Sequence, residues 1–175
     1  MANCGAGEEC GLIKSMTCEF KTIALIGKYQ SPEVAEAVLR LASYLRGLGL
    51  SVLIEQGTAS STGLTAGFTV ASYEEIGGRA DLAIVLGGDG SLLNSACRLA
   101  EFNVPLVGVN QGRLGFLTDI SREVALEKVG EILEGRFTEE SRVLLDAEVL
   151  RNGQRVFHTV ALNDVVVNKG DLGRM

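Results

Sequence analysis

With 175 residues and 46% apolar side chains, the chain is long enough to bury a core and too apolar for a disordered polymer; one domain, or one domain and part of another, is expected. A net charge of −6 without a Lys/Arg block argues against nucleic acid or an anionic membrane surface as the main partner, so a small anionic ligand would need local donors. Four cysteines (Cys4, Cys10, Cys18 and Cys97) without CxxC spacing, and a single histidine, His158, leave little for a zinc cluster and read as reduced thiols.

No signal-length apolar segment opens the chain and none reaches transmembrane length, which predicts a cytoplasmic protein. Residues 1–19 lack any period and read as a flexible tail. Thr22 to Ile26 is a short β-branched and apolar run ending at Gly27, and Ser31-Pro32 then reads as a helix cap and first helical position. Val34, Val38, Leu41, Leu45 and Leu48 recur at helical spacing, and Gly49 stands where a left-handed residue ends a helix. Ser51 to Ile54 predicts a second strand. Gln56 to Ser72, rich in Gly, Thr, Ser and Ala, predicts a long loop, either a cover over a ligand or a variable surface segment. Tyr73 to Ile76 suggests a short helix.

Leu82 to Leu86 form a continuous apolar run, suited to a strand buried on both faces of a parallel sheet. The run stops at Gly87-Gly88-Asp89-Gly90. Three glycines let backbone N–H groups approach an oxyanion closely, and Ser91 is predicted to cap a helix from Leu92, whose N-terminus favours phosphate. Asp89 is the one side chain in the turn. A carboxylate repels phosphate oxygens unless it holds a metal ion or receives a proton from an attacking hydroxyl, and both jobs belong to phosphoryl transfer. The alternative is a tight turn in which Asp89 only hydrogen-bonds backbone N–H groups. GxGxxG fails because Leu93 replaces its last glycine, and no Walker-type Gly-x-x-x-x-Gly-Lys-Ser/Thr occurs. Leu92, Leu93, Ala96, Cys97 and Ala100 give the following helix a buried face, with Cys97 a core residue rather than a nucleophile.

Leu106 to Val109 predicts another buried strand, emptying into the loop 110–117. In open α/β sheets ligands collect at the carboxyl ends of strands, so the loops 87–91 and 110–117 are expected to face one cleft. There Asn110 would hydrogen-bond a ligand and Arg113 would meet phosphate, while Phe116 either stacks on a base or is buried. Glu123 to Leu133 predicts a helix with Val124, Leu126, Val129, Ile132 and Leu133 apolar, stopped by Gly135. After Phe137 the period becomes two: Val143, Leu145, Ala147 and Val149 alternate, Asn152-Gly153 signals a hairpin, and Val156 to Leu162 returns as its partner. Asn163-Asp164 then interrupts the apolar runs, before Val165 to Val167 and the polar end 168–171. A sheet begins shortly before Met175, so the chain is expected to be a fragment.

Together GGDGS at 87–91, GVNQGRLGFLTDI at 108–120 and ALNDVVVNKG at 161–170 resemble the NAD kinase family, of bacterial type, in the family's order. The resemblance implies a Rossmann-like α/β domain, here residues 20–136, followed by a C-terminal all-β domain that begins over 137–175. It also implies homo-oligomers, dimers or tetramers, joined through that β domain. It implies phosphoryl transfer from ATP, with a divalent ion such as Mg2+, to the 2′-hydroxyl of the adenosine ribose of NAD. On the matching positions, Asp89 faces that hydroxyl; Gly87, Gly88, Gly90 and Ser91 line the phosphate region; Phe116 approaches the adenine side; and Asn163 with Asp164 bind the dinucleotide. Family members continue past the Asn-Asp block, so little kinase activity is expected of these 175 residues alone. The competing expectations are a lipid kinase with a similar GGDG turn, and a non-catalytic nucleotide-binding or oligomerising module.

Overall fold

The structure is a computed structural model that describes residues 20–27, 32–112 and 115–167. The expected tail 1–19, the Ser31 cap, Arg113 and the polar end 168–171 lie outside the described residues.

Six parallel strands form one sheet in the order β3-β2-β1-β4-β5-β6, with β1 Thr22–Gly27, β2 Ser51–Glu55, β3 Thr69–Ala71, β4 Leu82–Leu86, β5 Leu106–Asn110 and β6 Ile120–Ser121. The chain winds outward from β1 to β3, crosses back, and winds the other way from β4 to β6. The order therefore reverses between β1 and β4, which pair in register from Ile23↔Leu82 to Gly27↔Leu86. In such doubly wound sheets the two connections leave opposite faces at the reversal and open a crevice above the strands' carboxyl ends.

Both faces are covered, and the central strands show why. Ile23, Leu25, Val52, Ile54, Leu82, Ile84 and Leu86 point into one core with α1 (Pro32–Gly47), α2 (Gln56–Thr62) and α5 (Ala125–Leu133). The alternate residues Ala24, Ile26, Leu53, Ala83 and Val85 point into a second core with α3 (Tyr73–Arg79) and α4 (Asp89–Leu99). Every residue of β4 is buried, so the strand reads in sequence as an uninterrupted apolar run. In α1, Val34, Val38, Leu41 and Leu45 are buried as their spacing predicts. Leu48 is not: it lies beyond the last helical residue, 53% exposed, just before Gly49 turns the chain at φ +82°.

Two further expectations are corrected. Gln56 to Ser72 is not one long loop but α2, a turn and the edge strand β3. Its polar sequence folds because Glu55, 4% exposed, caps α2 by accepting from the N–H groups of Gly57 (2.8 Å) and Thr58 (2.7 Å). The buried Thr58 hydroxyl also accepts from the N–H of Gly27 at 2.8 Å, fastening α2 to the end of β1. The helix is thus held by tertiary bonds that no local period records. Val124 likewise precedes α5 and is 39% exposed rather than part of its apolar face.

After Gly135 (φ +81°) ends α5, β7 (Leu145–Arg151) and β8 (Gln154–Ala161) pair antiparallel, joined by Asn152 (φ +52°) and Gly153 (φ +76°). Two consecutive positive φ values make the type I′ turn that the Asn-Gly pair predicts. Val149, Leu150, Val156 and Phe157 of this hairpin remain half or more exposed, as does Val143 before it. Val165 to Val167 follow without strand structure.

Candidate active site at the carboxyl edge of the sheet

The GGDG turn lies directly after β4, beside the reversal point. The helix begins earlier than its sequence suggests: α4 starts at Asp89 with Gly88 as the residue before it, so Ser91 sits inside the first turn and does not cap. Ser91 instead donates its backbone N–H to the carbonyl of Gly88 at 2.9 Å. The first helical residue is Asp89, whose side-chain partners lie in the next loop.

Asp89 Oδ2 accepts from the N–H of Phe116 at 2.8 Å. Its Oδ1 accepts from the N–H of Leu117 (3.1 Å), the N–H of Thr118 (3.0 Å) and the Thr118 hydroxyl (3.0 Å). The loops after β4 and β5 therefore meet, as the sequence predicts, and they meet through this carboxylate. The Phe116 N–H first, then the donors of Leu117 and Thr118, hold the Asp89 carboxyl below its ordinary range, against an opposing pull from partial burial. With three donors on Oδ1 and one on Oδ2, Oδ2 keeps acceptor capacity for one more hydroxyl.

The glycines divide by what they serve. A Cβ on Gly115 would lie 2.1 Å from Asp89 Oδ1, and one on Gly108 would lie 2.6 Å from Thr118 Cγ2, so the protein's own packing requires both. Added at Gly88 or Gly90, a Cβ would meet nothing within 4 Å. Gly88 has an ordinary φ of −99° and Gly90 is helical, so neither is required by its dihedrals. Inside the helix, at Gly90, glycine costs about 0.5–1 kcal/mol relative to alanine. What these two provide is open space over the first turn of α4, where the N–H groups of Asp89 and Gly90 precede the first helical acceptor, while those of Ser91 and Leu92 go to the Gly88 carbonyl. The N–H of Gly87, by contrast, is already donated to the Val109 carbonyl at 3.0 Å.

The other sequence-derived candidates fall as follows. Asn110 is buried (4% exposed), and its amide is committed inside the protein, donating to Thr118 Oγ1 at 2.9 Å and accepting from the Gly112 N–H at 2.7 Å. Phe116 is 100% exposed, its ring standing free next to the Asp89 clamp, which decides against burial. Asn163 and Asp164 are exposed and follow β8, a strand that lies against α4; among the described residues no hydrogen bond joins them to the glycine turn. Cys97 is only half-buried on α4. Among the described residues no group of three or more His, Cys, Asp or Glu side chains converges to hold a metal ion, and no helix is long and apolar enough to cross a membrane.

Thr118, Gly115 and Gln111 are the residues that sequence reasoning missed. Thr118 is fully buried and joins Asn110 to Asp89. Gln111 lines a cleft of about 300 Å³ between α1 and α5 at the ends of β4 and β5, together with Glu36, Arg40 and Arg122. Both polar atoms of its amide are buried without a protein partner, the setting in which a water or a polar ligand atom is held. A tertiary signal would have been needed for Thr118 and Gly115, because the Asp89 carboxylate they meet lies on a separate element; Gln111 has no partner whose spacing could mark it.

Known proteins share this architecture and sequence. The family model described as ATP-NAD kinase N-terminal domain matches residues 23–137. The NAD kinase of Aromatoleum aromaticum is 73% identical over 160 residues, covering 91% of this chain and 53% of that protein. That of Nitrosomonas europaea is 50% identical over 151 residues, covering 86% of this chain and 51% of the relative. A crystal structure of yeast NADH kinase complexed with NADH superposes with a TM-score of 0.71 at 19% identity, covering 83% of this chain and 47% of that one, which establishes likeness of fold. The chain spans about half the length of the curated relatives it matches.

Proposed function

The chain belongs to the ATP-NAD kinase family, and on that premise we propose that it serves transfer of the γ-phosphoryl group of ATP to the 2′-hydroxyl of the adenosine ribose of NAD, giving NADP. The observation that carries this reading is the open space over Gly88 and Gly90 beside an ionised Asp89 with one acceptor position left. Phosphate oxygens approach the leading N–H groups of α4, and the ribose hydroxyl donates to Asp89 Oδ2.

The hydroxyl oxygen then forms a bond to the γ-phosphorus in line with the departing ADP oxygen, whose bond to phosphorus breaks, and the hydroxyl proton passes to Asp89 late in the displacement. A carboxyl held below the ordinary carboxylate range by its N–H and hydroxyl donors is a weak base for an alcohol, so orientation of the nucleophile is the larger part of its role. A divalent ion such as Mg2+, carried in on the ATP as part of the substrate, would offset the phosphate charge.

In the same reading Phe116, exposed beside the clamp, offers its ring to the adenine, while Asn163 and Asp164 bind the dinucleotide from the end of β8, and Arg113 and Ser91 serve the phosphates. Residues 20–136 form the α/β domain and 137–175 begin the β domain, through which copies associate as dimers or tetramers in the cytoplasm. The test is NADP formation from NAD and Mg-ATP, measured with an NADP-specific dehydrogenase on a protein of the relatives' length that carries this chain. Turnover lost in Asp89→Asn supports the assignment; an Asp89→Asn enzyme as active as wild type overturns Asp89's role, and phosphorylation of a diacylglycerol or sphingosine acceptor instead would move the site to a lipid kinase.

A further inference from the structure

We propose that Thr118 is a positioning residue whose hydroxyl fixes the Asp89 carboxylate to the end of β5 through Asn110. The inference rests on the kinase reading for its catalytic consequence and on geometry for its structural one. Asn110 Oδ1 accepts from the Gly112 N–H, which leaves Asn110 Nδ2 as a donor; it donates to Thr118 Oγ1. The Thr118 hydroxyl, having accepted there, spends its one proton on Asp89 Oδ1. The bonds therefore run in one direction, from the Gly112 N–H through Asn110 and Thr118 to the carboxylate.

The chain of bonds is also enclosed. Thr118 is 0% and Asn110 4% exposed, so water does not readily replace a missing partner. It is anchored in the sheet, because Asn110 is the last residue of β5 and pairs with Ser121 of β6 on one side, while Val109 pairs with Leu86 at the end of β4 on the other. The Thr118 methyl packs in the space that Gly108 leaves free, where a Cβ would lie 2.6 Å from Cγ2. Methyl and hydroxyl thus have separate jobs: one seats the residue against β5 and the other aims Asp89. Both oxygens of Asp89 then face fixed donors, three on Oδ1 and one on Oδ2, which leaves Oδ2 with acceptor capacity.

Two substitutions separate these jobs. Thr118→Val keeps the shape and methyl but removes the hydroxyl; Thr118→Ser keeps the hydroxyl and removes the methyl. Each is read by carbon-13 titration of the Asp89 carboxyl and by the amide resonances of Phe116 to Thr118, and, in a protein of the relatives' length, by kcat and KM for NAD. The expected result for Thr118→Val is an upward shift of the Asp89 titration and about a tenfold loss in kcat, with KM changed by no more than about twofold. In Thr118→Ser both the titration and kcat stay close to wild type. An unchanged Asp89 titration in the valine variant, or a serine variant impaired as much as the valine one, would overturn the proposal. Failure of wild-type protein to form NADP would count against the kinase reading alone, since the titration and the amide resonances report the hydroxyl's part without any substrate.

Discussion

Gly115→Ala is a substitution of one methyl group that should dismantle the site without touching the core. The added Cβ would stand 2.1 Å from Asp89 Oδ1, 2.6 Å from its Cγ and 2.8 Å from Oδ2, where real Cβ contacts stay beyond 3.0 Å. Gly115 does not have a positive φ, so its dihedrals accept alanine, and the three atoms nearest the added Cβ all belong to the carboxylate. Oδ1 must retreat by about 0.9 Å, and its bonds to Leu117 and Thr118, now 3.0 to 3.1 Å, then lengthen towards about 4 Å, beyond hydrogen-bonding range. The two loops part, the Phe116 N–H loses its hydrogen bond to Asp89 Oδ2, and the carboxylate is no longer held between the loops. We expect kcat/KM for NAD to fall by about two orders of magnitude, with both kcat and KM affected, in a protein of the relatives' length assayed with an NADP-specific dehydrogenase. Thermal unfolding followed by circular dichroism should move by only a few degrees. A Gly115→Ala protein with wild-type turnover and unshifted Phe116 to Thr118 amide resonances would refute the clamp as described.

Asp89→Asn should behave differently, because the asparagine oxygen can still take the three donors now on Oδ1 while the amide NH2 opposes only the Phe116 N–H. NADP formation is expected to fall at least about a hundredfold, whereas NAD affinity by isothermal titration calorimetry changes only a few-fold. The pH dependence has a fixed sign: the folded Asp89 pKa lies below its unfolded value, so the clamp's contribution is fully present above the ordinary carboxylate pKa of about 3.9 and disappears as pH falls through the lower folded value. Amide resonances of Phe116 to Thr118 should therefore stay in place down to about pH 4 and move below it; movement between pH 5 and 7 would contradict this. Thr58→Val should destabilise the chain by about 1–3 kcal/mol in urea unfolding, since it leaves the buried Gly27 N–H without its acceptor. Ile84→Ala, at the centre of β4 with no exposure, should cost about 2–5 kcal/mol by the same measurement, and a loss under about 1 kcal/mol would place β4 at an edge.

The elements read most directly from sequence are those buried over most of their length. β1, β4 and β5 are flanked by strands on both sides, so their residues are apolar in unbroken runs, and α1 turns one continuous stripe to the sheet. α2 and β3 stand at the other extreme. Three residues of edge strand and seven of polar helix carry almost no apolar pattern, and what folds them is the Glu55 cap and the Thr58 bond to Gly27, neither visible as a period. The site was legible in the same uneven way. Gly-Gly-Asp-Gly after a buried strand marks a turn left open by missing side chains, and the second loop is expected beside it because both follow the carboxyl ends of buried strands. The contact that joins them spans 27 to 29 residues, and no local feature of Asp89 or Thr118 announces it. For that reason Ser91 reads as the cap, although Gly88 precedes the first helical residue, Asp89, and the bond by which the Asn110 amide braces Thr118 leaves no mark in the sequence.

The most direct test of the account is NADP formation from NAD and Mg-ATP by a protein of the relatives' length carrying these residues, compared side by side with its Gly115→Ala and Asp89→Asn variants. The account predicts turnover in the wild type, at least about a hundredfold less in Asp89→Asn, and a similar loss with weakened NAD binding in Gly115→Ala. A wild type that forms no NADP, or variants that match it, would contradict the assignment of this crevice as the site of phosphoryl transfer to NAD.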